Sequence, residues 1–277
     1  MRLVWQLLAV GAIAFGGGQA MVAFDDGGWL SLAIGLATVV LSIVAYRWVV
    51  RLTERRPVTE LGREGAWAGT GRGTLIGVGL FGLVIMNLAF LGYYEVDGLG
   101  DPGAMIGLFG FMAAAAVTEE LLFRGVLLRV LERWWGTGVA LTFTSILFGL
   151  IHLVNPNASL WGALAIAIEA GGMLGAAYIA TRKLWLPIGI HFGWNFAASA
   201  IFSTEVSGNG TPQGLLDAAT SGPMPISGGE FGPEGSLYSM LFCTLLTVVF
   251  LWIAKRRGHL VPLRRAARAE AVARLPR

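Results

Sequence analysis

The chain has 277 residues, 55% of them hydrophobic and only 13% charged, with net charge +3 and mean hydropathy +0.68. Soluble domains carry about 25% charged residues, so a soluble single-core domain is excluded for want of polar surface, and disorder is excluded for want of charge. One cysteine, Cys243, excludes an internal disulfide framework and a multi-cysteine metal cluster.

Apolar stretches close to the ~20 residues that cross a bilayer predict an all-α polytopic membrane protein. About eight helices are expected, at 3–24, 29–50, 73–94, 103–124, 138–155, 159–181, 184–203 and 236–254. The fourth should continue as helix to Trp135. Arg2, an apolar run and Gly18-Gln19-Ala20 loosely fit a cleaved signal peptide, but the run continues to Phe24, longer than a usual signal core, so it reads as a span. The connections alternate in sign. Asp25 and Asp26, then Glu95, Asp97 and Asp101, then Glu205, Asp217, Glu230 and Glu234 stand without a base, whereas Arg51 to Arg72, Arg124 to Arg133, Arg182-Lys183 and Lys255-Arg256-Arg257 fall on the other side. Lys and Arg favour the cytoplasmic side, which predicts a multi-pass protein of the cell (inner, cytoplasmic) membrane with both termini cytoplasmic.

The organisation expected is helices 1–3 over 1–101, a core of helices 4–7 over 102–203, an exterior Gly/Pro-rich connection over 204–235, and a last helix with a basic tail over 236–277. The tail from 255 holds eight bases against one acid, Glu270. It reads as a stop-transfer cluster able to rest on anionic headgroups at about 1 kcal/mol per base. The 204–235 connection reads as irregular, with a cap over the membrane face as the alternative. No phosphate-binding loop is present, and no nucleic-acid partner is expected.

Ionisable residues inside spans cost ~2.5–3.5 kcal/mol each on insertion scales, so Glu119, Glu120, Arg124, His152, Glu169 and His191 stand out, with Asn87 and Asn195 as neutral companions. Glu120 and Arg124 are four apart and share a helix face. Glu119 points about 100° away and is left free for chemistry. Phe148 and His152, and His191 and Asn195, are also four apart. A turn at Trp135-Gly136-Thr137-Gly138 places Glu119 and His152 at matching depth, each roughly 25 Å from it at ~1.5 Å per residue. A carboxylate facing an imidazole can activate a water, and His191 and Asn195 could then donate to an oxyanion. Glu169 and Asn87 read as packing or cavity residues. Gly73/Gly77, Gly103/Gly107, Gly171/Gly175 and Gly189/Gly193 are small-residue pairs that permit close helix approach.

Glu-Glu-x-x-x-Arg at 119–124, Phe-x-x-x-His at 148–152 and His-x-x-x-Asn at 191–195, in this order, resemble the CAAX protease and bacteriocin-processing family. These are intramembrane glutamate-dependent peptidases related to the Ras-converting CAAX endopeptidase. The resemblance covers about 102–203 and includes Gly175, Tyr178 and Trp185-Leu186-Pro187. It implies helices around a polar cavity and a water nucleophile. It assigns Glu119 as base, His152 as its partner, His191 and Asn195 to the oxyanion, and Glu120 and Arg124 to shaping the site beside Phe148. Asn195 stands where some members carry Asp. The resemblance implies no cofactor and a membrane-associated peptide or protein substrate, whether a CAAX-type tail or a processed or bacteriocin-type peptide linked to self-immunity. Two alternatives remain: a zinc-dependent peptidase using Glu119, His152 and His191, which lacks the H-E-x-x-H signature, and a non-enzymatic proton-coupled transporter or peptide-binding immunity or scaffold protein.

Overall fold

A computed structural model describes residues 1–24, 27–210 and 214–263. The expected acids Asp25 and Asp26 and the tail beyond Leu263 lie outside the described residues. Helices α1 (Arg2–Ala23), α2 (Trp29–Glu54) and α3 (Ala66–Phe90) come first. Then α4 (Ala104–Glu120) runs through a π-helical segment, Leu121–Leu128, into α5 (Arg129–Ile151). After a 3-10 turn at His152–Val154, α6 (Leu160–Ile166), a second π segment (Ala167–Gly172) and α7 (Met173–Thr181) form one continuous rod. Finally come α8 (Trp185–Phe196) with a third π segment (Ala197–Ile201), the short α9 (Met224–Ser227) and α10 (Leu237–Arg256).

Among the described residues, six helical stretches are long and apolar enough to cross a membrane. They account for seven of the eight expected spans, because one of them, Ala104–Val154 with 51 residues, contains both the fourth and the fifth. Its hairpin turn is at Gly136, where φ is 75° and ψ 167°. A side chain there would be strained and would also meet the backbone of Pro262 and Leu263 at about 3 Å. The expected span 184–203 is helical only over 185–201, α8 and its π segment, and is too short to count with the six. The third helix starts at Ala66 rather than 73, so Arg72 is helical.

Helices α3 and α8 approach backbone to backbone. A Cβ on Gly77 would lie 2.2 Å from the Ile190 carbonyl oxygen, and one on Gly193 would lie 2.3 Å from that of Thr74. The paired small residues therefore set the position of the helix that carries His191 and Asn195.

The connection 204–235 differs from the irregular segment expected. Its β2 (Leu216–Thr220) pairs antiparallel with β1 (Tyr94–Leu99), with a bulge between Val96 and Gly98. Hydrophobic spans dominate the sequence signal, and a five-residue strand with alternating small residues leaves almost none.

At the opposite ends of the helices lies a buried charge network whose arginines, in the sequence, read only as topology markers. Arg129 donates to Glu54 through two nitrogens, at 2.8 and 2.7 Å, and to the Gly125 carbonyl at 2.6 Å. Arg56 donates to both oxygens of Glu60, at 2.8 and 2.7 Å, and Gln6, with no exposed surface, donates to Thr53 and Glu54. Burial raises the Glu60 carboxyl, but the hydrogen bonds from Arg56 and Tyr46 outweigh it and hold the group below its ordinary value.

Candidate active site

Glu119 and Glu120 occupy the last turn of α4, where the helix widens into the π segment. π turns recur at functional sites. Here the Gly125 carbonyl accepts from Arg129 and lies 2.8 Å from the Tyr46 hydroxyl.

Glu120 is wholly buried and committed. Its Oε1 accepts from Arg124 Nη1 at 2.6 Å and lies 3.1 Å from His191 Nδ1. Arg124, 2% exposed, also donates to the Ala170 carbonyl at 2.6 Å and lies over the Phe148 ring, 4.6 Å from its centroid. Glu120 Oε1 already accepts from the guanidinium and a carboxylate oxygen accepts from its other neighbours too, so the proton of that contact is placed on His191 Nδ1. The sequence spacing anticipates the Glu120–Arg124 pair. It does not show that the same carboxylate orients His191, because that contact joins residues 71 positions apart.

Glu119 is left uncommitted. Its Oε2 is buried and, among the described residues, accepts no hydrogen bond. His191 Nε2 stands 3.9 Å away, beyond direct hydrogen bonding. This is the imidazole closest to Glu119 by ion-pair geometry, whereas the sequence reading paired Glu119 with His152. His152 Nδ1 donates to the Phe148 carbonyl at 2.7 Å, since a carbonyl can only accept. In the neutral ring this leaves Nε2 with its lone pair.

Glu119, His152, His191 and Asn195 line one cavity of about 270 Å³, together with Glu169. Among the described residues no hydrogen bond engages the Asn195 side-chain amide, and Asn195 is 9% exposed. Glu120 and Arg124 are not among the lining residues and lie behind the cavity wall, buried. Glu169, 2% exposed, accepts a hydrogen bond from Ser239. Asn87 is elsewhere: its amide donates to the Leu83 carbonyl of its own helix at 2.7 Å.

The connection 204–235 supplies further lining, with Val206, Ser207, Asn209 and Glu234. Glu234 is 1% exposed and holds this wall in place. Its Oε1 accepts from Trp194 Nε1 at 2.7 Å, and its Oε2 accepts from the Ser207 backbone N–H at 2.5 Å and hydroxyl at 2.8 Å. Burial pushes this carboxyl above its ordinary value, against the hydrogen bonds from Ser207 and Trp194. Glu234 escaped the sequence reading because it sits in a Gly-rich connection, where an acid is expected to be solvated.

Among the described residues no group of three or more His, Cys, Asp or Glu side chains is arranged to hold a metal ion.

No curated protein and no solved structure matches the chain. Residues 101–197 match the family model described as type II CAAX prenyl endopeptidase Rce1-like. That segment contains Glu119, Glu120, Arg124, Phe148, His152, His191 and Asn195, so over this third of its length the chain is similar to the Rce1-like CAAX-type membrane proteases.

Proposed function

We propose that the protein hydrolyses a peptide bond of a membrane-associated peptide or protein segment, using water activated by Glu119, without a metal and without a covalent intermediate. The observation that carries this reading is the placement of Glu119: it lines a cavity shared with two imidazoles and no hydrogen bond reaches its Oε2, whereas the neighbouring Glu120 lies outside that lining with its Oε1 committed to Arg124.

A water seated by Glu119 and His152 loses its proton to the carboxylate as its oxygen attacks the peptide carbonyl. The carbonyl oxygen becomes an oxyanion, within reach of the Asn195 amide and His191 Nε2. With Nδ1–H held by Glu120, donation from Nε2 requires the imidazolium, and the two glutamates flanking the ring supply its countercharge. Collapse breaks the C–N bond, and the proton held by Glu119 passes to the leaving amine. The products are a carboxylate and an amine, with all atoms drawn from substrate and water. Apolar walls from Phe111, Met112, Ile151 and Met173 suit a peptide that arrives from a lipid environment.

The test is Glu119→Gln, reconstituted in bilayers and assayed on membrane-associated peptides. A positioned base contributes about 10²–10⁴ in rate, and turnover should fall by that factor with folding unchanged. Hydrolysis in ¹⁸O-labelled water should place one label in the new carboxyl group. Unchanged turnover in the variant would refute the base assignment.

A further inference from the structure

The cavity has a direction. Its lining comes from the halves of the helices that lead toward one face: positions 111–119 of α4, 148–155 at the end of α5, and 166–174 of the α6–α7 rod. The non-helical lining adds Asn155, Val206, Ser207, Asn209 and Glu234. Val154, 86% exposed, and the exposed Asn209 stand at its rim on that face. The other end is closed. Glu120 and Arg124 are buried behind the cavity at 0 and 2% exposure, and the Glu54–Arg129–Glu60–Arg56 network lies further along the same helix pair.

Charge marks the two faces differently. The connections on the rim side carry Glu95, Asp97, Asp101, Asp217 and Glu230, all exposed. No Lys or Arg occurs over 73–123, 134–181 or 184–254, and none lines the cavity, whereas two further carboxylates, Glu169 and Glu234, do. The Arg-rich connections 51–72 and 182–183 lie at the closed end, the end that Lys and Arg place in the cytoplasm.

We propose that this cavity is served from the external, acid-bearing face, and that its substrate is a peptide segment carrying Lys or Arg side chains on that side of the membrane. The inference takes the peptidase reading above as its starting point. A low-dielectric cleft bordered by one sign of charge concentrates ligands of the opposite sign, and the closed basic end offers a cytoplasmic peptide no path to Glu119.

Two measurements that need no turnover test it. Asn209→Cys, Val154→Cys and, at the opposite end, Arg63→Cys are made singly, with the fully buried Cys243 as background, and intact cells are treated with a membrane-impermeant maleimide. Labelling of the first two, and of Arg63→Cys only after permeabilisation, is expected; the reverse pattern overturns the proposal. Fluorescent peptides of one core sequence with Lys or Glu flanks are then titrated against the full chain in nanodiscs. Lys-flanked peptide should bind at least about tenfold more tightly, and the gap should narrow as salt screens the exposed acids and in Asp217→Asn/Glu230→Gln. Equal binding, or a preference for Glu flanks, overturns it. If labelling and binding follow expectation while neither peptide is cleaved, the peptidase reading fails and the sided, cation-selective cavity stands.

Discussion

Arg124→Met tests the electrostatic design of the site most directly. The side chain removed is 2% exposed, pairs with Glu120 Oε1 at 2.6 Å, donates to the Ala170 carbonyl at 2.6 Å and covers the Phe148 ring. Methionine fills much of the aliphatic volume, so the loss is chiefly one of charge and donors. Removing one partner of a buried ion pair costs about 3–5 kcal/mol, because the other charge is left uncompensated. Hydrogen bonds between membrane helices contribute far less, about 0.6 kcal/mol on average and at most about 1.7, because the polar groups find other partners in the unfolded reference state.

These magnitudes separate two accounts. If Glu120 stays ionised and unpaired, Arg124→Met should lose about 3–5 kcal/mol, and Glu120→Gln added to it should restore about 2 kcal/mol or more as a negative coupling in the double-mutant cycle. If Arg124 acts only as a hydrogen-bond donor, the loss should stay below about 2 kcal/mol and the two changes should add. Reversible unfolding in mixed micelles, followed by helical circular dichroism, measures all four corners of the cycle. A single-variant loss within about 0.5 kcal/mol, or simple additivity, would refute the claim that Arg124 is the countercharge of Glu120.

Gly77→Val should displace α3 from α8, since its Cβ would meet the Ile190 carbonyl at 2.2 Å, whereas Gly79→Val enters open space. Overpacking of this kind costs about 1–3 kcal/mol, so thermal unfolding in detergent should separate the two variants by at least that amount. Trp194→Phe keeps the ring contact with Phe81, whose centroid is 5.1 Å away, but removes a donor from buried Glu234. The loss should be about 1–3 kcal/mol, and limited proteolysis should then cut the 204–210 segment faster than in the wild type. For Glu60 the folded-state carboxyl is lowered, so the stability it contributes is present above the ordinary Glu value and is lost as pH falls through the lowered one. Glu60→Gln should therefore show a shallower acid-side decline in unfolding midpoint than the wild type; parallel declines would remove Glu60 as a source of it.

Hydropathy made the long helices legible because a bilayer imposes length and apolarity on every span. It did so even at Gly136, where a loop too short to register in composition separates two helices. The i, i+4 spacing exposed the Glu120–Arg124 pair because both partners lie on one helix. What the sequence concealed is long-range. The contact of Glu120 with His191, the lock of Glu234 on Trp194 and Ser207, and the joining of Arg129 to Glu54 each connect residues 27 to 75 positions apart. Nothing local in their neighbours signals them. The strand pair of 94–99 with 216–220 was hidden for the same reason, since each strand is short and exposed on one side.

The two buried charge systems are joined by the π segment that follows Glu120. Arg124 lies within it and Arg129 one residue beyond it, and each neutralises glutamate on its own side. The Gly125 carbonyl between them accepts from Arg129 and lies 2.8 Å from the Tyr46 hydroxyl. The widened turn lets one helix carry a fully compensated anchor at Arg129 and, two turns away, a partly compensated site at Glu119 and Glu120. Since the cost of an intramembrane charge falls when a countercharge is fixed beside it, the charges at 120, 124 and 129 are the inexpensive ones. Glu119 has no arginine partner: among the described residues its Oε2 accepts no hydrogen bond, and His191 Nε2 stands 3.9 Å from it. Glu119 therefore faces the cavity with an oxygen open to a substrate or a proton, while Glu120 beside it is held behind the wall by Arg124.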